Sequence, residues 1–428
     1  MEIRRLTVVG LGYVGLPLAH AAVAAGCNVT GFDTNVELVT NLNLGRSHID
    51  DLSDSQITAM VQNGFVATSD DSCFETADVI VICVPTPLAS DGGPDLAAVL
   101  SVANSVSRKM QNDTLIILES TTFPGTTEDL VLPILESSGL TFDQDFWLAF
   151  SPERIDPGNK QFNIANTPKV VGGVSNTSSQ LAFEFYSLFV DKVVVAKGTR
   201  EAELAKLLEN TYRHVNIALM NEMVELCNLL NIDLWNSIEC AATKPFGFQA
   251  FFPGPGVGGH CIPIDPNYLS HHIKSTLGRP FRFVELAQEI NTGMPEYVFR
   301  RAQQALNEES KSVRSSKILL VGVTYKADIA DQRESPAIPL AKILISQGAE
   351  LSYYDPYVDL WDIDASHGSN SSNTKLARVP NLDLAAHESD LVILLQNHSS
   401  IDLTRLCETP TTILDTRGKL SGANVIRL

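Results

Sequence analysis

The stretch Leu6–Ala19, LTVVGLGYVGLPLA, sets glycines at positions 10, 12 and 15 between a β-branched run and a run with helical spacing. The first glycine allows a tight turn out of a strand, the second a close approach of an anion to the backbone, and the third close packing of helix on strand. A helix opening at that point turns its free N–H groups and the positive end of its dipole toward a pyrophosphate. The next apolar run, NVTGFD, ends in Asp33, whose carboxylate would accept ribose hydroxyls and repel a 2′-phosphate. The pattern predicts a dinucleotide site formed by Gly10, Gly12, Tyr13, Val14, Gly15 and Asp33, with NAD preferred to NADP.

Working outward, VIVICVP (79–85), TLIILES (114–120) and FWLAF (146–150) repeat the alternation of apolar strand and helical segment that builds a parallel sheet wrapped by helices. Ligands of such sheets sit at the carboxyl ends of the strands, where VPTP and ESTTFPGTT carry Thr86 and Thr121. Taken alone, either threonine reads as a helix cap; beside the glycine motif both read as lying near the cofactor. FSPERIDPGN (150–159) places Glu153 and Arg154 in a loop, where a surface ion pair is the plain expectation. Residues 199–230 contain neither glycine nor proline and predict one long helix, a natural dimer contact, with Lys206 and Asn210 four apart on one face. A second alternation starts at Lys317, with a helix over 336–347 and a loop over 365–380. The expected architecture is α/β: two Rossmann-like parallel-sheet domains, 1–198 and 311–428, joined by a long central helix and helical segment, 199–310.

With 44% hydrophobic and 19% charged residues the chain has the composition of a globular enzyme, and its net charge of −19 provides no basic footprint for nucleic acid or anionic membrane. Phosphate groups must then be held by local cations or backbone N–H. No unbroken apolar run reaches the length of a membrane span, and the glycines interrupt the signal-like start. Seven scattered cysteines without a C-x-x-C pair predict a reducing, cytoplasmic setting and no metal site.

One of those cysteines, Cys261, lies in FFPGPGVGGHCIPIDP (251–266), among the glycines at 254, 256, 258 and 259. A lone cysteine is more often a small buried hydrophobe. Glycine-rich backbone, however, gives a carbonyl substrate access to a thiol, and a thiol joined to an NAD site suggests aldehyde oxidation through a thiohemiacetal to a thioester.

These motifs, together with SPER, AELAKLLENTYR and GVTYKADIADQRESPA in the same order, are similar over nearly the whole chain to the nucleotide-sugar 6-dehydrogenases, the UDP-glucose and UDP-N-acetylhexosamine dehydrogenase family. The resemblance implies oxidation of the sugar C6 alcohol to a carboxylate with two NAD, and a homodimer formed through the central helix. By position it implies Cys261 as nucleophile, with Lys206, Asn210 and Asp265 around the C6 oxygen. Asp265 and Thr121 would order water, and Glu153 would act as base in thioester hydrolysis. Ala250, Phe251, Phe252, Pro253, Gly254 and Gly258 match the loop along the sugar and diphosphate, Lys326 a substrate contact and Arg333 a cofactor contact. Ile264 stands where UDP-glucose members tend to have lysine, and Pro157 where they have a second glutamate. Both departures resemble the UDP-N-acetylglucosamine branch, with UDP-N-acetylmannosamine members close by. An N-acetyl substrate needs a partner for its amide; Arg154, Arg213 and His214 are candidates, each as readily solvated or phosphate-bound. The competing functions are a single-step dehydrogenase of the 6-phosphogluconate or 3-hydroxyisobutyrate type and a non-catalytic NAD-binding regulator.

Overall fold

The computed structural model describes residues 5–49, 51–89, 93–156, 159, 161–259, 262, 264–364 and 374–428. The chain forms two compact units, the first ending at Glu209 and also holding Asn267–Gly278, the second comprising Asn210–Pro266 and Arg279–Leu428. Their border falls inside one unbroken helix, Thr199–Leu229.

The first unit contains strands β1 (Arg5–Val9), β2 (Asn28–Phe32), β3 (Val66–Thr68), β4 (Val79–Ile82), β5 (Thr114–Leu118), β6 (Phe146–Phe150), β7 (Lys169–Gly173) and β8 (Val193–Val195), in the sheet order β3-β2-β1-β4-β5-β6-β7-β8. The central strands are largely apolar because both faces are covered. Val8, Val81 and Ile117 pack in one core with Leu16 and Ala19 of helix Gly15–Ala24. Val9, Ile82 and Leu118, one residue along each strand, enter the opposite core with Val99 and Ala103 of helix Ala97–Lys109. The α/β expectation holds with one correction, since β7 runs antiparallel to β6.

The second unit holds β9 (Lys317–Val321), β10 (Glu350–Tyr354), β11 (Leu360–Asp362), β12 (Lys375–Ala377), β13 (Leu391–Leu394), β14 (Ile413–Asp415) and β15 (Val425–Arg427). Five of these make a parallel sheet in the order β10-β9-β13-β14-β15, backed by Met294, Val298 and Ala302 of helix Arg282–Glu308. β11 and β12 pair antiparallel beside it, so the expected loop over 365–380 includes a short strand; 365–373 lie outside the described residues. In each sheet the strand order reverses next to the first strand, between β1 and β4 and between β9 and β13, and that is where open α/β sheets bind ligands. Among the described residues no helix is long and apolar enough to cross a membrane.

Candidate functional site

In the first unit the glycine turn has the shape a dinucleotide requires. Gly10 takes φ +90°, and a Cβ there would stand 2.7 Å from the Cys83 carbonyl oxygen. A Cβ on Gly15 would stand 1.9 Å from the Gly10 carbonyl oxygen, whereas one on Gly12 would meet nothing within 4 Å. The open side at Gly12, in the turn leading to the N-terminus of helix Gly15–Ala24, fits a pyrophosphate. Asp33 accepts from the backbone N–H of Leu11 at 3.0 Å and Asn35 at 2.9 Å and keeps part of its surface open. The residues therefore fit NAD.

At the carboxyl ends of β4 and β5, Thr86 and Thr121 cap no helix; the helices that follow have Leu96 and Gly125 at their N-caps. Thr86 is buried, and its carbonyl accepts from the Tyr268 hydroxyl. Lys206, also buried, donates to Thr121 Oγ1 at 2.6 Å, an arrangement that needs the turn after β5 pressed against the long helix. Glu203, one helical turn before Lys206, holds it there. Its Oε2 accepts from Gly125 N–H at 2.6 Å, and its Oε1 accepts from the Thr127 N–H at 2.9 Å and hydroxyl at 2.7 Å. Burial pushes the Glu203 carboxyl up to about 7 against the pull of these donors.

The expected Glu153–Arg154 surface pair does not form. Arg154 pairs with Glu209 and donates to the Pro168 carbonyl at 2.8 Å. Glu153 accepts from Ile155 N–H with Oε1, while Oε2 is enclosed without a hydrogen-bond partner. Burial raises its pKa and Glu119 adds to that, while Lys169, Lys206 and the Ile155 N–H oppose it. Behind it lies a pair the sequence did not disclose: Lys169 Nζ sits 2.8 Å from Glu119 Oε1, both side chains almost wholly enclosed, with the Tyr186 hydroxyl donating to the same oxygen.

In the second unit Asn210 Nδ2 donates to Asp265 Oδ2 at 2.6 Å, both side chains buried. The loop leading toward Cys261 is anchored from behind. Gly254 N–H donates to Asn221 Oδ1 at 3.0 Å, Asn221 to Asn291 Oδ1 at 2.9 Å, and Asn291 Nδ2 lies 3.3 Å from His214 Nδ1. His214 is thus enclosed beneath the loop, and burial lowers its pKa to about 4, while Arg213 faces solvent. Phe251 packs edge-on to Tyr212, Pro253 is buried, and Ala250 and Phe252 are exposed. A Cβ on Gly258 would stand 2.6 Å from the Glu334 carbonyl oxygen, and Gly259 rests on the Tyr325 ring. These glycines thus seat the loop on the turn that carries Lys326 and Arg333, Arg333 itself pairing with Asp331. Cys261 and His260 lie outside the described residues. Sequence reasoning missed Arg417, whose guanidinium would stand 3.0 Å from a Cβ on Gly254 and whose pKa burial lowers to about 10. Its setting, DTRG, reads only as a turn.

Three descriptions of one family match in chain order: the NAD binding domain over residues 4–190, the central domain over 200–293 and the UDP binding domain over 319–422. The chain belongs to the UDP-glucose/GDP-mannose dehydrogenase family. It is accordingly an NAD-dependent oxidoreductase of the UDP-sugar dehydrogenase class. A UDP-N-acetyl-D-mannosamine dehydrogenase of Methanococcus maripaludis is 32% identical over 95% of this chain and 90% of its own length. A UDP-N-acetyl-D-glucosamine 6-dehydrogenase of Pseudomonas aeruginosa is 32% identical over 86% of each chain. The solved structure of a UDP-D-ManNAc dehydrogenase from Pyrococcus horikoshii, 30% identical, superposes with a TM-score of 0.87 over 99% of this chain and 98% of that one.

Proposed function

We propose that this protein oxidises C6 of a UDP-N-acetylhexosamine to the carboxylate in two steps, through a thioester on Cys261. What carries the reading is that each unit buries one contact to the long helix, Lys206 to Thr121 in the first and Asn210 to Asp265 in the second. Bound NAD supplies the hydride acceptor.

Because Lys206 donates to Thr121 Oγ1, the threonine must point its own proton elsewhere, toward a water or the C6 oxygen. The lysine charge stabilises negative charge that develops on that oxygen as its proton leaves. Asn210 fixes Asp265, which takes up that proton through ordered water. Loss of a first hydride from C6 gives the aldehyde, the Cys261 thiolate adds to its carbon, loss of a second hydride to a second NAD gives the thioester, and water attacks that carbonyl as the thiolate departs. Glu153, its pKa raised and one oxygen unpartnered, accepts the proton of the attacking water. Phe251 to Gly254, Gly258, Lys326 and the half-buried Arg417 take the sugar and diphosphate, and Arg333 matches a cofactor contact of the family. The stretches 1–198, 199–310 and 311–428 then act as cofactor, helical and nucleotide domains. The exposed Leu208, Leu219, Leu226 and Leu229 on the long helix suit a homodimer.

The relatives are named for different N-acetylated sugars at the same 32% identity, so the proposal covers the class and includes both the gluco and manno epimers. An enclosed site that pairs the acetamido group rejects a ligand lacking it, so UDP-glucose should be the poorer substrate. Assay with UDP-N-acetylglucosamine, UDP-N-acetylmannosamine and UDP-glucose should give two NADH per sugar consumed, and no carboxylate product with Cys261→Ala. Lys206→Ala should lower kcat on the order of 100-fold. One NADH per sugar with accumulating aldehyde refutes the thioester route; UDP-glucose as best substrate refutes the sugar assignment alone.

A further inference from the structure

At the carboxyl ends of β9, β10 and β13 a group of enclosed side chains closes into one network that the proposed chemistry does not use. His398 and Asp355 are both fully enclosed, with Nε2 of the ring 3.0 Å from Asp355 Oδ2. The other ring nitrogen, Nδ1, lies 3.0 Å from the backbone nitrogen of Asp328. A backbone N–H can only donate, so Nδ1 must be the acceptor and the proton must sit on Nε2, directed at the carboxylate. Asp355 is already engaged: Oδ2 accepts from Val323 N–H at 2.7 Å and Oδ1 from Tyr357 N–H at 2.9 Å. The Tyr357 ring covers the imidazole at 5.1 Å between centroids.

The same network grips the turn 324–328 on both sides of Lys326. Thr324 Oγ1 donates to the Lys326 carbonyl at 2.8 Å and lies 3.4 Å from His398 Nε2. Asp328 Oδ1 accepts from Ser399 N–H at 2.7 Å, so the turns at 328 and 398 are cross-linked in both directions. Gln396 Nε2 donates to the Tyr325 carbonyl at 3.1 Å. Asp328 takes φ +63°, a left-handed conformation that a non-glycine residue holds only where its surroundings impose it.

We propose that His398 is a positioning residue for nucleotide binding: in its neutral, Nε2-protonated form it bridges Asp355 and the Asp328 N–H and so holds Lys326 in place for the substrate diphosphate. The proposal rests on Lys326 being a substrate contact. His398 itself touches no reacting atom.

The test is calorimetric titration of UDP and of NAD, separately, into the full-length protein and three variants. His398→Leu should weaken UDP binding tenfold or more and leave NAD binding within twofold. His398→Gln, whose amide offers an acceptor and a donor at similar spacing, should restore most of the UDP affinity, a rescue that mere filling of the core would not produce. Lys326→Met should weaken UDP to a similar degree. If Lys326→Met leaves UDP affinity unchanged, the substrate reading of that lysine fails and the proposal with it. If Lys326→Met weakens UDP but His398→Leu does not, or if His398→Leu weakens both ligands alike, the latch alone is overturned. Long-range proton–nitrogen correlation spectra of histidine-labelled wild type provide a readout without any variant: a proton on Nδ1 of His398 overturns the proposal.

Discussion

Gly10 follows β1 and Gly322 follows β9, with φ +90° and +79°, and each is pressed under a carbonyl oxygen, of Cys83 in the first unit and of Gln396 in the second. In the first unit the helix opens at Gly15, close enough to offer its N-terminus to a ligand. In the second it waits until Ala337, and the intervening turn carries Lys326 and Arg333 instead. The acid after the second strand diverges in the same way. Asp33 keeps part of its surface open, while Asp355 is enclosed by Val323, Tyr357 and His398. One fold element thus yields a dinucleotide site when its acid is left open and a braced loop when its acid is sealed, in keeping with the NAD binding and UDP binding descriptions that the two sheets match.

The largest effects should come from adding a methyl group at the two turn glycines. Left-handed strain and overpacking together cost about 2–6 kcal/mol. Gly10→Ala should therefore weaken NAD binding thirtyfold or more with UDP binding kept, and Gly322→Ala the reverse. Titrations in which either variant loses both ligands equally would erase the division of labour.

Next in size is an opposite response to pH. Burial raises Glu203 in the first unit from 4.5 to about 7 and lowers His214 in the second from 6.5 to about 4. The folded state therefore holds the Glu203 proton more tightly than the unfolded chain, so stability present below pH 4.5 is lost as pH rises through 7. For His214 the sign reverses: stability present above pH 6.5 is lost as pH falls through 4. Each amounts to about 3 kcal/mol. Melting temperature followed across pH should lose its neutral-side decline in Glu203→Gln and its acid-side decline in His214→Gln. An unchanged profile in either variant would show that the group does not titrate as its burial dictates.

The smallest effect concerns cofactor choice. Wild type should prefer NAD to NADP by about tenfold in kcat/KM, and Asp33→Ala should bring the ratio below about threefold. An unaltered ratio would remove Asp33 from the ribose.

Much of this was legible in the chain because it is local. The glycine turn, the strands β1, β2, β4, β5 and β6 and the helix from Thr199 announce themselves through spacing of a few residues, whereas the three-residue β3 does not. β7 did not: KVVGG opens on a lysine and closes on two glycines, and nothing within it indicates that it runs against its neighbour. Glu203 and the turn that donates to it are separated by 76 to 78 residues, and His398 lies 70 from Asp328, so no local pattern could pair them. Arg154 looked like a partner for Glu153 because the two adjoin, yet neighbours in a loop point apart, and its true partner is 55 residues on.

The reversed strand has one more consequence, for motion. Because β7 runs against β6, with Gly172 opposite Phe150, its first residue falls at the edge where the parallel strands end. Lys169 reaches that edge from a strand rather than a loop, and its backbone N–H is bonded to the Lys192 carbonyl at 2.9 Å. Loops around such a site open and close on nanosecond to microsecond timescales. A cation borne on a sheet does not move with them, so the field it casts on Glu119, the residue after β5, stays constant through each opening. Amide exchange at residues 169–171 should therefore be slow even while the loop from 152 to 156 exchanges freely.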